Sequence, residues 1–458
     1  MLTPLLIIIG ISIIAGAING LIFGFTFPKV LCINQYRFKP FITIIQIPSL
    51  IMMILFGCVA RNYLGEFMHA YPTHWSQYIR SISLSLLLIR GGLSVTFQGK
   101  GLLVLFLSFV PQQLEAMTIA ALAYKLLELP LIMCFCLAYI LSCISPSVMV
   151  PGLMNLLEKG YGKEKGVIST LIAAGTFDNI ICILCFGICK TIAYSHHSMT
   201  TGKSLSQYIV FLFFENLIGF IAGFCLAMVG IVFNKMEHKP LTVNLKMWYC
   251  IFCAIFFVVV GEETGFANSK FIASLTFGYC SYRVWGEEKP HKEIGIAWWF
   301  IQPIFFGSVG ASFNFSQIQK SDVGLGIIII VSGVLIRLIV VTILSAFPSG
   351  KYTTKERAFI AISWMPKATV QAALSSVIFN DSKALRNIEM MEFGNRIQTV
   401  GILSIVVCAP IGAILISTLG PRFLSHTPEG QQTLDREKEP LNEIEMEGDF
   451  REHLNNQK

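Results

Sequence analysis

The residues of this sequence with the clearest chemical capacity stand in apolar surroundings. Thr176, Asp178 and Asn179 fall within one helical turn of the run Ala-Ala-Gly-Thr-Phe-Asp-Asn. A hydroxyl, a carboxylate and an amide so spaced form an oxygen-ligand set for a small hard cation. Glu115, Glu215, Arg337 and Lys367 also lie well inside long apolar stretches. An ionisable side chain at the centre of a bilayer costs about 2.5–3.5 kcal/mol, so these five residues, unpaired, would cost on the order of 12–17 kcal/mol. They must face one another or water. Glu115 and Arg337 read as a structural ion pair before a direct role at the site, and Glu215 as structural or gating. Asp178, with oxygen-bearing neighbours on both sides, reads as functional, with Lys367 as a base able to pair with it.

Two stretches carry helix breakers beside polar atoms: Ser145-Pro146-Ser147 with Pro151, and Trp364-Met365-Pro366-Lys367-Ala368-Thr369. Proline removes a backbone donor and frees a carbonyl one turn earlier. Inside a membrane such breaks persist where they are buried in protein or line a cavity. One such break alone would read as a simple kink. Two of them seven helices apart run in opposite directions, which is the pointer to inverted repeats with a site where the broken helices cross.

The elements that must position these residues are membrane helices. Apolar residues make up 54% of the 458-residue chain and charged residues only 13%, with a mean hydropathy of +0.67. A soluble domain needs roughly 25% charged residues. Stretches able to span hydrocarbon number about thirteen: 4–27, 41–60, 78–96, 101–124, 131–156, 166–190, 206–233, 244–260, 268–285, 294–315, 324–347, 356–380 and 396–420. The first reads as a retained helix rather than a cleaved leader. Its Gly16, Gly20 and Gly24 form a small-residue stripe suited to packing within the chain or to a dimer contact. Loops after alternate spans hold Lys159, Lys163, Lys165, Lys289, Lys351 and Arg357, against fewer bases in the others. The bias predicts the N-terminus outside and the C-terminus in the cytoplasm.

The transporter-like part thus runs over 1–424, and 425–458 reads as an acidic, disordered cytoplasmic tail. The formal charge of +7 belongs to inner loops, and no basic patch with interleaved aromatics suggests nucleic acid. The 13 cysteines include Cys182/Cys185 and Cys250/Cys253 at CxxC spacing, but inside apolar runs without histidine partners. They read as small helix residues, not as a zinc or disulfide framework. Asn380-Asp-Ser382 is a glycosylation sequon in an expected outer loop.

Several segments together resemble the animal NHA-type sodium/proton exchangers, subfamily B of the sodium/hydrogen exchangers. They are Arg80–Leu93, the stretch around Glu115, Ser145–Pro151, Gly160–Val167, Gly175–Ile180, Val334–Leu338, Ser363–Leu374 and Ala409–Arg422. The resemblance, running from about 41 to 424, implies an all-α antiporter fold with two crossing broken helices and a homodimer of dimerisation and core domains interleaved in sequence. It implies exchange of Na⁺ or Li⁺ for protons by alternating access, with the ions as cargo, lipid as surroundings and no cofactor or enzymatic reaction. Carried over by position, Asp178 and Asn179 match the family's paired acidic site, Glu115 and Arg337 its intramembrane ion pair, and Lys367 and Thr369 its second broken helix.

One departure stands at the centre. The family pattern has two adjacent aspartates and relies on the second, where this chain has Asn179. An amide coordinates through its carbonyl but neither gives up nor takes a proton. The expectation is exchange carried by Asp178, with Asn179, Thr176 and Thr369 as neutral ligands. The alternative is a transport-deficient member acting as a regulatory or dimerisation partner. An intramembrane hydrolase is disfavoured, because no span carries a Ser/His or His/Glu pair at working spacing. The plasma membrane is the default location, with mitochondrial or vesicular membranes as alternatives.

Overall fold

A computed structural model describes residues 49–64, 73–94, 101–197, 205–235, 239–266, 268–311, 320–347 and 351–426. The expected first span with its glycine stripe and the acidic tail beyond residue 426 lie outside the described residues. The chain is all-helical there: α1 (Ser49–Tyr63), α2 (Thr73–Gly92), α3 (Gly101–Leu126), α4 (Leu131–Ser142), α5 (Pro146–Glu158), α6 (Val167–His197), α7 (Leu205–Val229), α8 (Lys239–Glu263), α9 (Ser269–Trp285), α10 (His291–Ala311), α11 (Lys320–Leu344), α12 (Thr354–Ile362), α13 (Thr369–Leu374), α14 (Val377–Ala384) and α15 (Ile388–Phe423).

Every expected stretch from 41–60 onward carries helix. Among the described residues, 8 segments are long and apolar enough to cross a bilayer on those grounds alone, with α4 and α5 counting as one. The others fall short for local reasons. Helices α1 and α9 are short, α2 is richer in polar residues, and the stretch expected at 356–380 is divided among α12, α13 and α14. The described residues therefore fix the fold class but not a total of thirteen.

Helices α3 to α6 pack with α11 to α15, while α2 and α7 to α10 pack with one another and α1 lies along α10. The first body is a triplet with a broken middle member (α3, α4–α5, α6) set against a second such triplet (α11, α12–α13, α15). In the second body, glycines let helix backbones touch. A β-carbon at Gly219 or Gly223 of α7 would run into the Ser269 or Ala273 carbonyl of α9, and one at Gly310 into the Ile54 carbonyl of α1. Without a hydrophobic drive between helices in lipid, such close contact is a main source of cohesion.

The helix ends sort into two sets. At one, Gly162 N–H donates to Ser425 O at 2.8 Å, the Tyr161 ring lies 4.8 Å from that of His426, and Lys165 pairs with Glu356 at 2.9 Å. At the other, Lys190 pairs with Asp381 at 2.7 Å, Tyr78 bonds Glu263 at 3.3 Å, and Arg396 donates to Leu127 O at 2.7 Å. The first set belongs to the loops expected inside and the second to those expected outside. The sequon is a correction: it lies in α14, where Ser382 is buried and bonded to the Tyr194 hydroxyl at 2.9 Å. Helical packing, not an exposed loop, governs that triplet.

Candidate functional site

The site forms where the two interrupted helices meet. Ser145 precedes Pro146, which bars it from helical geometry, and it takes φ −102°, ψ 105° as the N-cap of α5. The chain is likewise unwound between Ile362 and Thr369 around Pro366. The breaks satisfy each other. Ser145 N–H donates to Pro366 O at 2.9 Å, and the Ser145 hydroxyl lies 3.4 Å from that of Thr369 and 3.1 Å from that of Ser147. Gln371 Nε2 donates to Ile140 O at 2.9 Å and Cys143 O at 2.6 Å, taking up carbonyls orphaned at the end of α4.

Beside this crossing lies a four-member charge cluster, each residue no more than 1% exposed. Arg337 of α11 pairs with Glu115 of α3 at 2.6 Å, with Asp178 of α6, and with the Ser142 carbonyl that ends α4. Its guanidinium sits 4.9 Å from the Trp364 ring, a cation–π contact. Lys367 Nζ lies 2.8 Å from Glu115 Oε1, and Ile144 N–H donates to Asp178 Oδ2 at 3.2 Å. Two acids against two bases make the cluster formally neutral, the pairing that buried charges require.

One expectation is corrected here. Lys367 pairs with Glu115, not Asp178, because the guanidinium of Arg337 already occupies the Asp178 carboxylate. The expected Glu115–Arg337 pair is present and extends to the site. One guanidinium holds both acids. Glu215 is buried and accepts from Asn268 Nδ2 at 3.1 Å and Ser269 N–H at 3.3 Å, which makes it the anchor of the turn entering α9.

Asn179 does not aim its carbonyl at an open pocket. Its Oδ1 accepts from the Cys143 thiol at 2.5 Å, and its Nδ2 donates to Gly175 O at 3.0 Å. The Thr176 hydroxyl donates to Ile172 O at 2.9 Å. Asn179 and Thr176 nevertheless line a narrow cleft between the two helical bodies, with Ser147, Arg90, His291 and Trp298 on its other walls. Arg90 near the end of α2 and His291 at the start of α10 put the cleft toward the end expected to be cytoplasmic. Asp178 stands one residue behind this wall, fully buried.

Sequence reasoning passed over Gln371, Gln112 and Cys143. Gln112 Nε2 donates to Cys182 Sγ at 3.1 Å. Both glutamines are uncharged, so a search for intramembrane charges skips them, although a lone amide in an apolar run needs partners just as a charge does.

This arrangement has counterparts. The family model for the transmembrane sodium/hydrogen exchanger matches residues 30–424. Over 389 residues the chain is 34% identical to human sodium/hydrogen exchanger 9B2, covering 83% of this chain and 71% of that one. It is 32% identical over 388 residues to human sodium/hydrogen exchanger 9B1, covering 83% and 73%. Among solved structures, the sodium proton antiporter MjNhaP1 of Methanocaldococcus jannaschii at pH 8 aligns with a TM-score of 0.64 at 15% identity, over 92% of this chain and 99% of that one. The last likeness concerns the fold, while sequence identity and the family match agree with the resemblance read from the motifs. The chain is a multi-pass integral membrane protein and belongs to the sodium/hydrogen exchanger family.

Proposed function

We propose that this protein exchanges Na⁺ or Li⁺ for protons by alternating access, with Asp178 as the carboxylate for which the two cargoes compete. The observation that carries this reading is the buried carboxylate of Asp178 at the crossing of two broken helices, held by a guanidinium that has other acceptors in reach. Arg337 can release Asp178 without becoming unpaired, because Glu115 and the Ser142 carbonyl remain. A protonated Asp178, or an ionised one bearing a monovalent cation, leaves the cluster with the same net charge. One cation therefore replaces one proton without a change in the electrostatic burden of the site. Thr176, Asn179 and Thr369 supply neutral oxygens, and the cleft reaches the first two.

The alternating step follows from the two-body packing. In this reading the α3–α6 and α11–α15 body moves against the other body, which also carries the homodimer contact. The cleft describes the inward-facing state.

Proteoliposomes loaded with a pH indicator test this. Na⁺ or Li⁺ gradients should drive proton flux at one proton per cation, and Asp178→Asn should abolish it. Two protons per cation would overturn the single-acid assignment. A transport-deficient member is favoured by Asp178 being sealed behind Asn179. It wins if wild type is silent and Asn179→Asp gains flux.

A further inference from the structure

Two thiols flank the carboxylate at the crossing. Cys143 lies in the unwound link between α4 and α5, and Cys182 lies one turn beyond Asp178 on the same face of α6. The two sulfurs and an Asp178 oxygen lie within 4.8 Å of one another, and all three residues are buried. Atoms bound to one tetrahedral metal ion at about 2.0–2.3 Å lie about 3.3–3.8 Å apart, so these three need draw in by no more than about 1.5 Å to meet one ion. The cysteines are far apart in sequence, so this set has no spacing signature. Cys182 meets Cys143, not its CxxC neighbour Cys185.

We propose that Cys143, Cys182 and Asp178 form a site for a thiophilic divalent cation of the zinc or cadmium class, distinct in chemistry from the alkali cargo. Soft sulfur ligands select such ions over Na⁺ or Mg²⁺. Donors stand beside one of the sulfurs. Gln112 Nε2 donates to Cys182 Sγ at 3.1 Å, and the Ser142 hydroxyl lies 3.6 Å from the same sulfur. Such outer contacts orient a metal ligand.

Charge also balances. Binding one divalent ion with release of both thiol protons leaves the neutral cluster of Glu115, Asp178, Arg337 and Lys367 neutral overall. The path is short, because Asn179, which accepts from the Cys143 thiol, lines the cleft. A loaded site would draw Asp178 from Arg337 and withhold it from sodium and protons. That second consequence rests on the exchange reading above; the binding itself does not.

Equilibrium dialysis of purified full-length protein against Cd²⁺, read by metal analysis and by the ultraviolet thiolate-to-cadmium absorption band, tests binding without any transport assay. Wild type should hold one tight equivalent that Cys143→Ser and Cys182→Ser each lose. Gln112→Leu should weaken that equivalent by roughly 10–100-fold, the usual effect of removing an outer-shell partner. Equal tight binding by wild type and both serine variants would overturn the proposal, since the metal would then sit on other cysteines. In proteoliposomes, Cd²⁺ should inhibit wild type, and each serine variant should resist it relative to its own metal-free rate. Binding in wild type without inhibition would overturn the blocking step. Absence of exchange in metal-free wild type would sink the exchange reading while leaving the binding result standing.

Discussion

Arg337 lies within reach of three acceptors, and the energetics of the site turn on that. Removing one member of a buried ion pair leaves an uncompensated charge and costs about 3–5 kcal/mol. Arg337→Met leaves two buried carboxylates with only Lys367 between them, so the purified protein should melt well below wild type. The double change Arg337→Met with Asp178→Asn should recover part of that loss, which a thermal-shift series would show. Gln371 makes a second test. Replacing it with leucine leaves the carbonyls of Ile140 and Cys143 without their donor, at about 1–3 kcal/mol for each group left unsatisfied. The expected result is a lowered melting temperature with no direct loss of a titrating group. Wild-type stability in Gln371→Leu would refute the role assigned to this side chain. The charged members of this site were legible in the sequence because charge in an apolar run is conspicuous. So was the Glu115–Arg337 pair; the remaining contacts were not. That Lys367 meets Glu115 while Arg337 takes Asp178 depends on where α3 and α11 stand relative to the crossing, which no local pattern encodes. Gln112, Gln371 and Cys143 escaped notice because glutamine and cysteine carry no formal charge.

Interrupted helices need their free ends satisfied from elsewhere, and this chain does so with a mixture of local and distant groups. Helix α12 begins in a capping box, with the Thr353 hydroxyl accepting from Glu356 N–H at 3.3 Å and the Glu356 carboxylate accepting from Thr353 N–H at 2.7 Å. Lys165 reaches the same carboxylate from the loop before α6. Thr353→Ala should cost about 1 kcal/mol, read as a modest fall in melting temperature. Loss of Glu356 should be worse, since it removes both the reciprocal cap and the ion pair with Lys165. At the other body, Glu215 closes the turn into α9 from α7. The breaks themselves were visible as proline beside serine or threonine. Their partners were not, because each is supplied by the opposite half of the chain, more than two hundred residues away. Helix existence was readable throughout from length and apolarity. The division of 356–380 into three pieces was only partly so, since Pro366 marks one break but nothing as plain marks the turn at Ser375–Ser376.

Across the whole molecule, the exchange mechanism proposed above makes the cleft between the two bodies and the ties at the opposite end one of its two states. Gln77 of α2 reaches Asp381 at 3.5 Å, and Asp381 also holds Lys190, so the far end links the bodies where the near end parts them. Ser147→Cys, placed on the cleft wall, should react with a membrane-impermeant thiol reagent added from the cytoplasmic side and resist the same reagent from outside. A reversed pattern would invert the orientation derived from loop charges. The spans counted along the sequence put the loops at 161–166, 356 and 425–426 at one end, and their contacts bring them together there. The hydrogen bond from Ser145 to Pro366 has a further consequence. It fastens the two unwound segments into one piece, so a cation meets the same oxygens whichever compartment it arrives from. Half-saturating sodium concentrations measured from the two faces should then agree at equal pH, and reversing both gradients should run the cycle backwards with equal ease.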